Sequence, residues 1–139
     1  MERVFLDANV LFSAAYREEN GLLRLWRIQS TELFTSAYAI EEARRNLESP
    51  GAKRRLDELL ARVRVIPEAP SLELPQNVSL AEKDQPILKC AIASGSRRLL
   101  TGDLKDFGHL FGKRVMGVLI QTPGDFLAIS ARRLLRDRR

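Results

Sequence analysis

Four acids in this chain fall where folding can bring carboxylates together: Asp7, Glu42, Asp84 and Asp103. Asp7 follows the apolar run Val4-Phe5-Leu6, and Asp103 ends the segment "LLTGD". Glu42 lies in the first turns of a predicted helix, with Glu41 beside it as the alternative. Asp84 stands just before Pro86, at the start of the helix that leads to the Asp103 strand. At ~5 Å and an effective dielectric of ~20, each pair of like charges repels by roughly 3 kcal/mol. Such a cluster requires a divalent cation between the charges, or protonation of some of the acids. Oxygen donors without histidine or cysteine favour Mg²⁺ or Mn²⁺ over zinc. On a basic chain, that ion points to phosphodiester hydrolysis, in which it activates water and stabilises the leaving oxygen without a protein nucleophile.

Strands and helices must position these acids. Residues 3–6 read as a buried strand. From about Leu11 to Ser30, Leu22, Leu23, Leu25, Trp26 and Ile28 recur at helical spacing, with Trp26 expected in the core. "ELFTS" at 32–36 is a second strand, and Ser36 caps a helix whose stripe is Ile40, Ala43 and Leu47. Pro50-Gly51 closes that helix. "KRRLDELLARV" puts Leu56, Leu59, Leu60 and Val63 on one face of the next, and 64–66 is a short strand. Pro67, Pro70 and Pro75 mark an extended connection.

"DQPILKCAIASG" predicts a helix with Pro86 in its first turn and Gly95 past its end. "RRLLTGD" and "VMGVLI" at 115–120 are strands. "TPGDFLAISARRLL" is a final helix capped by Thr122, with Asp125 completing a capping box. Strands alternating with helices predict an α/β fold with a mainly parallel sheet. Ligands of such sheets bind beyond the carboxyl ends of the strands, where the winding direction switches.

The 139 residues suit a single domain over 1–139, with a basic tail from about residue 130 holding Arg132, Arg133, Arg136, Arg138 and Arg139. Lys and Arg number 23 against 18 Asp and Glu, a net charge of +5 that suits a nucleic-acid partner. The single cysteine, Cys90, excludes an intramolecular disulfide and a thiolate metal cluster. The single histidine, His109, excludes a two-histidine ribonuclease mechanism within one chain. Phosphate-loop and dinucleotide-binding glycine motifs are missing. No apolar run approaches the ~20 residues of a membrane span, and the N-terminus lacks a signal-peptide pattern, so a cytoplasmic address is expected.

"VFLDANVLFSA", "FTSAYAIEEARRNL", "LAEKDQPILKCAIASGSRRLLTGDLKDF" and "TPGDFLAI" resemble, in order over residues 3–127, successive signature segments of PIN domains, the fold of VapC-type toxin ribonucleases. The resemblance implies a three-layer α/β/α architecture with strand order 3-2-1-4-5, placing the Asp7 and Asp103 strands side by side at the switch point. It implies a Mg²⁺- or Mn²⁺-dependent endoribonuclease that cleaves RNA, the toxin of a toxin–antitoxin pair, with an antitoxin protein and a homodimer as partners. By position, Asp7, Glu42, Asp84 and Asp103 match the four family acids, which serve as catalytic and metal-binding residues. Glu42 is assigned by its distance to Leu47, the family's Glu-x-x-x-x-Leu pattern. Asn9 and Thr101 occupy polar positions that support the metal shell. Asp106 is either an extra ligand or a polar loop residue.

Lys105, Arg44 and Arg45 lie close in sequence to these acids and are candidates for RNA phosphate contacts, which position a backbone without reading bases. No aromatic ladder offers base stacking. Singly, each acid has an ordinary use: Asp84 as a helix cap, Asp103 as a turn residue, Glu42 as a solvated side chain. Two rival functions follow. A phosphotransferase of the haloacid dehalogenase type needs a second Asp two residues after the first, where this chain has Asn9. A non-catalytic PIN-like nucleic-acid-binding or scaffold domain would give salt-sensitive RNA binding without turnover.

Overall fold

Val4, Phe5 and Leu6 are fully buried, as a strand covered on both faces of a parallel sheet must be. They belong to β1 (Glu2–Leu6) in the computed structural model, which describes residues 1–137. Parallel pairs join β1 to β2 (Thr31–Ser36) and β2 to β3 (Arg64–Ile66). On the other side β1 pairs with β4 (Arg98–Leu100), and β4 with β6 (Val118–Gln121), again in parallel. β5 (Arg114–Val115) adds an antiparallel edge, giving the order β3-β2-β1-β4-β6-β5.

The strand expected over 115–120 is therefore a tight hairpin. Its turn sits at Met116 and Gly117, both in the left-handed region with φ of 48° and 89°. Consecutive positive φ values are what a two-residue hairpin turn demands, and glycine supplies one without steric strain. Without this edge strand the order is the expected 3-2-1-4-5.

Winding runs outward from β1 to β3, and the chain then crosses back to β4. Right-handed crossovers place the helices of the two runs on opposite faces, which makes three layers. α1 (Ala8–Tyr16) packs on both α2 (Ala37–Asn46) and α3 (Pro50–Leu60), while α4 (Gln85–Ala93) packs on β2 and β4. α5 (Leu104–Phe107) follows β4, and α6 (Pro123–Asp137) completes the described chain. The expected tail residues Arg138 and Arg139 lie outside the described residues.

Two helix boundaries differ from expectation. The stretch from Leu11 to Ser30 divides into α1 and a 3-10 segment, Gly21–Arg27. Asn20 makes the break, donating to the Ala14 carbonyl at 3.0 Å while accepting from the Leu22 amide at 3.0 Å. Trp26 packs against the core half-buried, its ring N–H donating to the Leu59 carbonyl. Pro50-Gly51 opens α3 instead of closing α2, because Ser49 caps the Ala52 amide at 3.0 Å and proline suits a first helical turn. The other caps form as expected: Ser36 accepts from the Ala39 amide, and Thr122 from that of Asp125.

Candidate metal centre

β1 and β4 are neighbours where the winding reverses, so the residues that follow them meet at one edge of the sheet. Asp7 is 4% exposed and caps α1, its Oδ1 accepting from the Ala8 amide at 2.6 Å. Its Oδ2 accepts from the Thr101 hydroxyl at 2.8 Å and from Asn9 Nδ2 at 3.2 Å. The same Thr101 oxygen accepts from the Asp103 amide at 3.1 Å and from Asn9, whose own carbonyl oxygen accepts from the Gly102 amide at 2.7 Å. Asn9 and Thr101 thus tie the ends of the two strands together and orient Asp7.

The cleft beyond this edge has a volume of about 470 Å³, and its walls include Asp7, Asn9, Glu42, Lys83, Asp84 and Asp103. A larger cleft of about 560 Å³ lies beside Met1, Trp26 and Arg62, with Glu32 its single acid. Chemistry, not size, distinguishes the two. Glu42 is half-buried in the wall, whereas Glu41 is exposed and does not line it.

Asp84, Asp103 and Asp106 each offer a carboxylate oxygen within 4.8 Å of the others. Asp103 Oδ1 also caps α5 by accepting from the Asp106 amide at 3.0 Å. Asp84 occupies the cap position of α4 but makes no side-chain capping bond, so its ordinary use as a cap is not realised. It is 8% exposed, and its Oδ2 has no hydrogen-bond partner. An orphaned buried oxygen beside two more carboxylates fits a hard divalent ion, which replaces the missing partner and screens the repulsion.

The charges show the same pressure. Burial raises the Asp7 carboxyl from 3.8 to about 6 against the lowering effect of the Thr101 and Ala8 bonds, and Glu42 and Asp103 push it further up. Burial is also the main cause that raises Asp84 to about 6, with Lys83 opposing and Asp106 and Asp103 assisting. Lys83 is the counterweight: its Nζ lies 2.8 Å from Asp106 Oδ2 and 3.7 Å from Asp84 Oδ2. The hydrogen bond to Asp106 raises the lysine above its ordinary range and lowers Asp106 below its own.

Lys83 is the site residue that sequence reasoning passes over. Its signal is adjacency to Asp84, in the turn that launches α4. The three basic residues nominated for phosphate contact are less central. Arg44 reaches Asp57 of α3 at 2.7 Å, and Arg45 and Lys105 are exposed; none of the three lines the cleft.

Residues 3–105 match the PIN domain family. The chain belongs to that family. PIN domains are in general nucleases that use divalent metals. Among solved structures, VapBC2 from Rickettsia felis bound to a DNA fragment from their promoter contains a similar chain, with a TM-score of 0.63 at 15% identity. The alignment covers 86% of this PIN domain protein and 98% of that chain, and at such identity the likeness is one of fold. No curated protein matches.

Proposed function

We propose that this PIN domain protein is a Mg²⁺- or Mn²⁺-dependent endoribonuclease that hydrolyses RNA phosphodiester bonds, with Asp7, Glu42, Asp84 and Asp103 as its catalytic and metal-binding acids. The observation that carries this reading is Asp84, whose buried Oδ2 has no hydrogen-bond partner and whose carboxylate groups with those of Asp103 and Asp106, one oxygen of each lying within 4.8 Å of the others. Folding tolerates an orphaned oxygen of that kind at about 1–3 kcal/mol, a cost that a site supplied with a ligand recovers. A divalent ion held there supplies water activation and stabilisation of the leaving oxygen.

The chain's own residues do the positioning. Thr101 and Asn9 hold Asp7 in one orientation, and the Thr101 bond offsets part of the burial that raises its carboxyl. Asp103 is fixed from both sides, its amide bonded to Thr101 and its Oδ1 to the Asp106 amide. Glu42 reaches the cleft from α2. The net charge of +5 favours a polyanionic substrate.

The fold shared with a VapBC2 chain supports a toxin role for this protein, with an antitoxin as its protein partner. Homodimerisation belongs to the same reading.

The test is cleavage of a labelled single-stranded RNA by the full chain. Cleavage is expected with Mn²⁺ or Mg²⁺, abolished by EDTA, and lost in Asp103→Asn while the fold is retained. Asn keeps the oxygen that accepts from Asp106, which makes this substitution cleaner than Asp7→Asn, where an added amide would face the Asn9 amide. Salt-sensitive RNA binding without turnover under either ion would favour the non-catalytic reading.

A further inference from the structure

We propose that Lys83 is a built-in second cation of the acid cluster: its ammonium holds Asp106, so that the cluster accepts one divalent ion, at Asp84 and Asp103, and not two. The proposal rests on the nuclease reading above and assigns Asp106 to the lysine.

Lys83 is the one cation, among the described residues, that lines the cleft. Its 2.8 Å contact with Asp106 Oδ2 is a charge-assisted hydrogen bond. The 3.7 Å separation from Asp84 Oδ2 gives attraction without a hydrogen bond, which is why that oxygen remains orphaned although a cation is near. The three carboxylates of this group are therefore unequal. Asp106 has its partner, while Asp84 presents an unsatisfied oxygen in a residue more than nine-tenths buried.

The backbone fixes the turn that carries Lys83, while the side chain itself is 63% exposed. The Lys83 carbonyl accepts the Tyr38 hydroxyl at 2.7 Å, pinning the turn to α2. The amides of Asp84 and Gln85 both bond to the Ala81 carbonyl, at 2.9 and 3.2 Å, which closes the turn itself. An ammonium on a flexible stem is a compact point charge. At this position it neutralises one carboxylate and occupies the space in which a second ion would share Asp106. An uncharged side chain there frees Asp106 for metal.

Mn²⁺ binding to the full chain tests this, read by calorimetry and by loss of the free-ion electron paramagnetic resonance signal. The wild type and Lys83→Arg are expected to bind one ion per chain, and Lys83→Met two. Lys83→Gln repeats the uncharged arm should Lys83→Met fold poorly. Two ions in the wild type, or a single ion in the uncharged variants at any affinity, would overturn the proposal while leaving the nuclease reading intact. A wild-type chain that binds no Mn²⁺ would overturn both.

Discussion

Glu2 and Asp7 stand at the two ends of β1, and the protein treats them in opposite ways. Glu2 meets the guanidinium of Arg98, with Arg133 3.6 Å from its second oxygen. Arg98 in turn donates to Gln121 and lies over the Phe126 ring at 5.2 Å. The buried Glu2–Arg98 pair at that end has its charges matched. At the other end Asp7 accepts from neutral donors, and of the acids around it Lys83 contacts Asp106 at 2.8 Å and lies 3.7 Å from Asp84. One end is finished as structure. The other keeps excess negative charge that folding alone would remove, and such an excess marks a place that stability did not shape.

The comparison can be broken at either end. The largest effect is expected from Asp103→Asn, which should lower metal-dependent RNA cleavage by about 10³-fold, or ~4 kcal/mol of transition-state stabilisation, with an unchanged circular dichroism spectrum. Arg98→Met should act on stability instead. Breaking a buried pair costs about 3 kcal/mol, to be read as a lower urea midpoint, while cleavage per folded molecule stays constant.

Asp84→Asn should have the opposite sign. In metal-free protein above pH 7 it should stabilise by about 2 kcal/mol, because it removes a carboxylate whose ionised form the fold disfavours. Asp84 titrates near 6 when folded against 3.8 as its ordinary value, so the folded state holds the proton more tightly. Wild-type stability then rises as pH falls from about 7 towards 4, and the advantage of Asp84→Asn should shrink over that window. Asp7, also raised to about 6, shifts with the same sign. Urea titrations at several pH values measure both. The smallest effect is expected from Asn9→Ala, which loosens Asp7 and the Gly102 amide without removing an acid and should lower cleavage about tenfold.

Much of this contrast is legible in the sequence, for physical reasons. Val4-Phe5-Leu6 followed by Asp7 signals a buried strand that delivers a polar group at its end, and "LLTGD" repeats the pattern on the neighbouring strand. Parallel sheet topology then brings the two together. The hairpin at Met116-Gly117 was hidden because a lone glycine inside an apolar run is also compatible with a continuous strand. Lys83 and the Glu2–Arg98 pair were hidden for a different reason. Both depend on which long side chains meet across elements distant in sequence, and charge spacing along the chain does not encode that. Arg44 shows the converse: adjacency to Glu42 suggested the cleft, but the turn of the helix carries it to Asp57.

The central claim concerns where a cation sits, and anomalous scattering from crystals soaked in Mn²⁺ measures that directly. The predicted result is a peak between the Asp84 and Asp103 carboxylates, within reach of Asp84 Oδ2. Density for manganese confined to other surfaces, with that oxygen still unpartnered, would contradict the account.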